Sequence, residues 1–215
     1  MYTKATSGDI QITGWRMIIV KRVSTPSEST VKGGKTGLTE SKEEGGSSSG
    51  VNSNQILVAY FSHSGNTRAI ANQIHESIGG SIFEIMAVGS YPGDYEDVVE
   101  QARKELQAGY KPELKTKIEN MRSYDVVFVG YPNWWGTIPR PVASFLSAYD
   151  FTGKTIIPFC THEGSGLGRS VTDIKGLCPQ SAVPEGLAVR GRNVKTAKNE
   201  ITGWLREIKE RTIQR

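Results

Sequence analysis

From Gln55 onward, short apolar runs alternate with segments whose apolar residues recur at helical spacing. Ile56–Phe61 is an unbroken apolar run and predicts a strand. A turn-rich loop follows, then a helix with Ile70, Ile74 and Ile78 on one face, closed by Gly79-Gly80. Ile82–Met86 predicts a second strand. Tyr95–Gln107 predicts a helix through Val98, Val99, Ala102 and Leu106, stopped by Gly109. Asp125–Val129 predicts the third strand, and a helix runs from about Pro139 to Ala148 with prolines in its first turn. Thr155–Cys160 predicts the fourth strand and leads to a helix through Val171, Ile174 and Leu177. Leu187–Val189 predicts the last strand, before a C-terminal helix with Val194, Ala197, Ile201, Leu205 and Ile208 on one stripe. Five strands alternating with five helices, with central strands apolar on both sides, predict an α/β domain: a parallel sheet covered on both faces.

The pattern stops short of the N-terminus. Between Val23 and Asn54, 18 of 32 residues are Ser, Gly or Thr, four are aliphatic and none is aromatic. Such a segment cannot bury enough apolar surface to offset its ordering entropy. Residues 1–54 are therefore expected to be a disordered tail with a Ser/Gly-rich linker, and residues 55–213 the folded domain. Ile12–Val20 could form a short strand with nothing near it to complete a domain. The repeat of Ile12-Thr13-Gly14-Trp15 as Ile201-Thr202-Gly203-Trp204 is one four-residue match and reads as chance.

The chain's 215 residues suffice for a core without disulfides or a metal, and its two cysteines, Cys160 and Cys178, cannot build either framework. Cys160 ends a strand and should be buried. Cys178 follows a helix and is a candidate for exposure, without an evident base to activate it. No apolar run approaches the ~20 residues of a membrane-spanning helix. The net charge of +4 suggests nucleic acid, but residues 1–50 and the remaining 165 each carry +2, and no block of like charge occurs. A mixed-charge solvated surface is the better reading, so no nucleic-acid partner is expected. Gly46-Ser47-Ser48-Ser49-Gly50 mimics a nucleophile elbow and Gly34-Lys35-Thr36 a phosphate-loop lysine. Neither has the strand that its motif requires.

Ligands of open parallel sheets bind beyond the carboxyl ends of the strands. Three loops there have unusual composition. Ser62-His63-Ser64-Gly65-Asn66-Thr67 combines three hydroxyls, an amide and a glycine at a helix N-terminus, which suits a phosphate without a lysine. The plainer alternative is a strand–helix turn capped by Asn66 or Thr67. Pro132-Asn133-Trp134-Trp135-Gly136 holds two adjacent tryptophans that cannot both point into the core. At least one should be partly exposed, where its face can stack on a planar ligand. Thr161-His162-Glu163-Gly164-Ser165-Gly166 is small and glycine-rich, which permits close backbone contact with a ligand edge or simply makes an ordinary loop.

Taken in this order, the Ser-x-Ser-Gly-Asn-Thr loop, the Trp-Trp-Gly segment and the Gly/Ser loop resemble the flavodoxin-like proteins, over roughly Gln55 to Glu210. The segment from Tyr91 to Leu106 is also similar to that of small bacterial flavodoxins. The resemblance implies a doubly wound, three-layer fold with a five-stranded sheet in the order 2-1-3-4-5, and one non-covalent FMN. It implies that Ser62, Ser64, Asn66 and Thr67, with backbone N–H groups nearby, hold the FMN phosphate. Trp134 or Trp135 would lie against the isoalloxazine, Asn133–Gly136 at the flavin N5 edge and Thr161–Gly166 at its pyrimidine edge. The flavin carries the redox chemistry in such proteins, so no catalytic side chain is assigned.

Two departures qualify the resemblance. The third loop offers His162 where familiar flavodoxins stack an aromatic side chain, and the folded portion is not acidic. Less negative charge should destabilise an anionic reduced flavin less, so a milder reduction potential is expected. An uncovered flavin face would admit a hydride donor or a flat acceptor. The functional expectation is electron transfer with a redox partner protein or a small-molecule acceptor. The alternatives are an FMN-dependent NAD(P)H oxidoreductase acting on quinones or nitroaromatics, and a non-redox binding module on the same fold. A cytoplasmic location is the default, with an exported form left open by the linker.

Overall fold

The computed structural model describes residues 55–213. The expected tail and linker, the Ile12–Val20 strand and the two mimic motifs lie outside the described residues.

Ten elements alternate as the apolar pattern requires: β1 (Ile56–Tyr60), α1 (Asn66–Ile78), β2 (Ser81–Glu84), α2 (Tyr95–Gln107), β3 (Val126–Pro132), α3 (Arg140–Ala148), β4 (Thr155–His162), α4 (Ser170–Leu177), β5 (Leu187–Arg190) and α5 (Lys198–Ile213). The strands form one parallel sheet in the order β2-β1-β3-β4-β5, as the resemblance implied.

Residue alternation along β1 explains the layers. Ile56, Val58 and Tyr60 join Ile70, Ile74, Phe128, Phe159, Ile201 and Leu205 in a core beneath α1 and α5. Leu57, Ala59 and Phe61 point the other way, into a second core with Val127, Tyr131, Ile156, Phe145, Leu146 and Ile174 under α3 and α4. Strands buried on both faces read as continuous apolar runs for this reason. The centre of the sheet is tight. A Cβ on Gly130 would meet the Phe159 ring at 2.1 Å, so the glycine of β3 is fixed by its β4 neighbour.

Three sequence readings need correction. The second strand ends at Glu84 rather than Met86. Ile85 N still bonds Tyr60 O of β1 at 2.7 Å, and after it the chain takes a different partner, with Lys115 N bonded to Met86 O at 2.8 Å and Val88 N to Glu113 O at 2.9 Å. Val194 and Ala197 precede α5, in and just after a 3-10 turn over Gly191–Thr196. Three and 3.6 residues per turn give nearly the same stripe over so short a span, and both side chains still reach the α5 core. Cys178 is buried, its Sγ 3.9 Å from Leu146 O, because the chain folds back under α3 before β5. Burial pushes the Cys178 thiol up to about 11 and the Cys160 thiol up to about 12.

Candidate functional site

β1 and β3 lie side by side, but their chain connections leave in opposite directions across the sheet, to β2 and to β4. That reversal opens a crevice at their carboxyl ends. A cleft of ≈ 640 Å³ occupies it, within the range of small-molecule sites.

The first wall is the start of α1. Gly65 stands at the cap position with φ 91°, and no side chain caps the helix. The first-turn N–H groups of a helix have no partners within it, so here they remain available. Ser62 is turned inward, its Oγ accepting from Gly65 N at 3.2 Å, which shapes the loop. Thr67 is also committed: the residue is 1% exposed, and its hydroxyl shares a 2.8 Å hydrogen bond with that of Thr161, a residue 4% exposed. This bond ties α1 to the end of β4. His63, Ser64 and Asn66 line the cleft. Arg68, in the same helical turn, is drawn away to Glu84 on β2 at 2.5 Å.

The second wall is the loop after β3. Trp134 and Thr137 exchange backbone hydrogen bonds of 3.1 Å each around Trp135 and Gly136, with φ of 54° and 75°. Two central residues at positive φ make a type I′ turn, in which Asn-Gly is usual. Trp135 is the only non-glycine residue at positive φ among those described. The turn separates the two indoles. Trp134 packs edge-on against Phe61, Tyr91 and His63, with ring centroids 5.0–5.9 Å apart. Trp135 is 51% exposed, and its indole N–H donates to Val99 O of α2 at 2.9 Å.

The third wall is the loop after β4. Asn133 N donates to Thr161 O at 2.8 Å, and Asn133 Nδ2 to Gly166 O at 2.7 Å, so the second and third loops are laced together. Gly168 packs so closely on Gly136 that a Cβ there would meet its carbonyl oxygen at 2.3 Å. Thr161, His162, Glu163, Gly164 and Ser165 line the cleft. Two buried atoms of lining residues, Asn133 Oδ1 and His162 Nδ1, have no hydrogen-bond partner among the described residues. The Glu163 carboxylate sits over Gly191, where a Cβ would meet its Oε1 at 2.2 Å.

The cleft thus gathers His63, Ser64, Asn66, Pro132, Asn133, Trp134, Trp135, Gly136 and the run from Thr161 to Ser165. Ser62, Gly65, Thr67 and Gly166 support the loops from behind. Neither Asn66 nor Thr67 serves as the helix cap. Sequence reasoning missed Tyr95, Val98, Val99 and Ala102 on α2, and Gly191 after β5. Gly191 was findable as a glycine at the carboxyl end of a strand. The α2 residues carry no motif and reach the cleft only through tertiary packing.

A sequence model of the flavodoxin family matches residues 55–208. The crystal structure of a candidate flavoprotein from Bacteroides eggerthii DSM 20697 is 32% identical, covers 69% of this chain and 98% of its own, and superposes with a TM-score of 0.59. A second candidate flavoprotein, from Bacteroides uniformis ATCC 8492, is 29% identical over 69% and 98% of the two chains, with a TM-score of 0.62. A Lactobacillus acidophilus NCFM flavoprotein, solved in complex with FMN, shares the fold at 23% identity and a TM-score of 0.55, over 66% and 97%. No curated protein matches the chain.

Proposed function

The chain belongs to the flavodoxin family, and on that premise we propose that it binds one FMN non-covalently and serves in electron transfer. One observation carries the reading. The N-terminus of α1 has no side-chain cap and opens into a cleft built by the loops after β3 and β4. A helix start of this kind favours an anion through its free N–H groups and its dipole.

The other features fit the same ligand. Ser64, Asn66 and the first-turn amides of α1 would take the phosphate, with Ser62 and Thr67 holding the loop from inside. Asn133–Gly136 and Thr161–Gly166 would meet the flavin edges, with backbone brought close by glycine. Trp135 would offer its exposed ring face, and Trp134 would be the rigid backing. Asn133 Oδ1 and His162 Nδ1 are buried acceptor-capable atoms without partners among the described residues, and such atoms are rare unless something else satisfies them. Bound FMN supplies the electron chemistry, while the protein fixes its position and surroundings.

A second reading is an FMN-dependent NAD(P)H oxidoreductase acting on a quinone or nitroaromatic acceptor. It is favoured by the third loop, which contributes no aromatic side chain beyond the half-buried His162. Two titrations test both. Apoprotein should quench FMN fluorescence with one-to-one stoichiometry, and a lack of quenching would leave only a binding module on this fold. The anaerobic flavin spectrum should then persist when NADH or NADPH is added and bleach with dithionite. Prompt bleaching by either nucleotide would replace the electron-carrier reading with the reductase.

A further inference from the structure

The chain at the carboxyl end of β5 concentrates one sign of charge. Between Arg190 and Lys198 it holds Arg190, Arg192, Lys195 and Lys198 and no carboxylate. The 3-10 turn over Gly191–Thr196 sorts this segment into edges. At three residues per turn, positions three apart stack on one edge, each about 6 Å beyond the last. Val194 and Ala197 form the edge that packs into the core beneath α1 and α5. Arg192 and Lys195 form an exposed edge, which exposed Lys198 extends as the first residue of α5.

The chain does not balance this ridge. Among the described residues none of its four side chains joins an ion pair. The buried Nε of Arg190 has no hydrogen-bond partner there. The neighbours that α1 contributes are uncharged: Asn66 Nδ2 lies beside Gly191, and Gln73 Nε2 donates to Val194 O at 3.1 Å. Glu163, over Gly191, and Glu200, in the first turn of α5, pair with none of the four. Within one molecule the arrangement is unfavourable. Like charges stacked on one helical edge repel, and Lys198 stands at a helix start, where the dipole disfavours a cation. The compensating charge has to come from outside the chain.

Gly191, between Arg190 and Arg192, lines the cleft, while none of the four cations does. The ridge therefore stands at the rim, outside the cavity that would receive FMN. Elsewhere the same rim is acidic, since Tyr95 of α2 lines the cleft with Asp94, Glu96 and Asp97 beside it in the chain. The 3-10 turn packs on α1 and helix α2 on α3, so the two charged groups lie on opposite faces of the sheet.

This asymmetry selects among anionic partners. A nucleic acid or an anionic membrane presents uniform negative charge over a wide front and would also press on the α2 carboxylates. Residues 51–215 hold 19 basic and 17 acidic side chains, so with the ridge set aside the acids outnumber the bases. An acidic patch on a folded protein can cover the ridge alone, and complementary patches of this size set both encounter rate and choice of partner.

We infer that the ridge of Arg190, Arg192, Lys195 and Lys198 is a docking surface for the acidic face of a protein partner, which it seats at the rim of the cleft. That this partner exchanges electrons with a bound flavin rests on the reading above. That the ridge binds it does not.

The test follows a fluorescein-labelled decaglutamate peptide by anisotropy as the full chain is added, first as apoprotein and then loaded with FMN. The peptide should bind at low salt and weaken by about tenfold or more as ionic strength approaches 1 M, where the screening length is about 3 Å. Arg192→Glu combined with Lys195→Glu should weaken it by about tenfold at low salt, while Lys195→Arg, which keeps the charge, should hold it within about twofold. Lys115→Glu combined with Lys117→Glu makes the same change in net charge at exposed positions before β3, and should cost less than about threefold. All four positions are exposed, so both double variants should melt with the parent. Equal losses in the two doubles, or no peptide binding, overturns the docking surface. An oligonucleotide of equal charge, or phosphatidylglycerol vesicles, binding more tightly than the peptide through the same residues would make the occupant a polyanion and overturn the protein assignment. Ridge-dependent peptide binding by a chain that takes no FMN upholds the surface and sinks the flavin reading. FMN binding without ridge-dependent peptide binding does the reverse, and failure of both overturns both.

Discussion

The indole N–H of Trp135 donates to the backbone carbonyl of Val99 at 2.9 Å, which fastens the loop after β3 to helix α2 across the mouth of the cleft. The residue that makes this bond sits at φ 54°, in a turn that prefers asparagine. A non-glycine residue there costs about 1–3 kcal/mol, and the hydrogen bond returns about 0.5–1.5 kcal/mol. Trp135→Asn should therefore leave apoprotein stability within about 1 kcal/mol of the parent, where truncating a core aromatic costs about 3–5 kcal/mol. Affinity for FMN should fall by about tenfold, because the ring face is lost. Thermal melts of the apoprotein beside a flavin titration separate the two effects. A large loss of stability with unchanged FMN affinity would make Trp135 a structural residue.

The Thr67–Thr161 hydroxyl pair joins α1 to β4 behind the phosphate loop, 2.8 Å apart and almost completely buried. Thr67→Val leaves the Thr161 hydroxyl without its partner and should cost about 1–3 kcal/mol, since an orphaned buried group loses its full hydration. Removing both hydroxyls should cost less than removing one. Urea unfolding of the two single variants and the double Val variant reads this directly. Simple additivity of the single losses would mean that the hydroxyls are not coupled.

At the centre of the sheet, Gly130 is held glycine by the Phe159 ring, 2.1 Å from where a Cβ would stand. Both residues are in regular strand, so no side-chain rotation frees the space without moving Phe159 from its core. Gly130→Ala should destabilise the fold by about 1–3 kcal/mol or more, as overpacking does. Phe159→Leu should be less harmful in the Gly130→Ala background than alone. If the alanine variant melts with the parent, the ring has room that the packing does not suggest.

The sheet was legible because its burial pattern is simple. Ile56–Phe61 and Asp125–Val129 are apolar at nearly every position, which only a strand covered on both faces requires. The limits of β2 were less legible, since Ile85 and Met86 continue an apolar run whose partner changes from β1 to the 113–115 segment. Local sequence does not record that exchange. At the site, the three loops were readable from glycine, hydroxyl and tryptophan content alone. Which tryptophan faces outward was not, because the turn at Trp135 and Gly136 decides it and positive φ at tryptophan is not a sequence rule. Nor was the α2 wall, where Val98 and Val99 both reach the cleft and only packing buries the first and leaves the second half-exposed.

Burial keeps both thiols neutral, with Cys178 raised to about 11 and Cys160 to about 12. Both should resist a disulfide reagent at pH 8 in the native protein and react together once guanidinium unfolds it. The same shift sets a pH dependence. Below the unfolded thiol value of about 8.5, both states hold the protons and stability is unaffected. Above it the unfolded chain releases them first, so stability falls through the window up to about 11 and 12. Replacing both cysteines with alanine should flatten that decline between pH 9 and about 11, as urea midpoints would record. Rapid native labelling of either thiol would contradict its burial.

Glu163 is the one carboxylate lining the cleft among the described residues, and it stands over Gly191 at the end that would receive a phosphate. Arg68, the cation that follows the Ser62–Thr67 loop in the chain, is bound to Glu84 on β2. A phosphate held there by neutral donors alone would feel the carboxylate as a like charge, so Glu163→Gln should tighten FMN binding. The gain should be about three- to tenfold at low salt, and should shrink towards onefold as ionic strength approaches 1 M, where the screening length is about 3 Å. Riboflavin, which has the ring system but no phosphate, supplies the control: its affinity should not respond to the substitution. Isothermal titrations of FMN and riboflavin at two salt concentrations measure all four cases. Equal gains for both ligands would place the effect at the flavin ring instead. Weaker FMN binding in Glu163→Gln would mean that the carboxylate accepts a hydrogen bond from the ligand rather than opposing its charge.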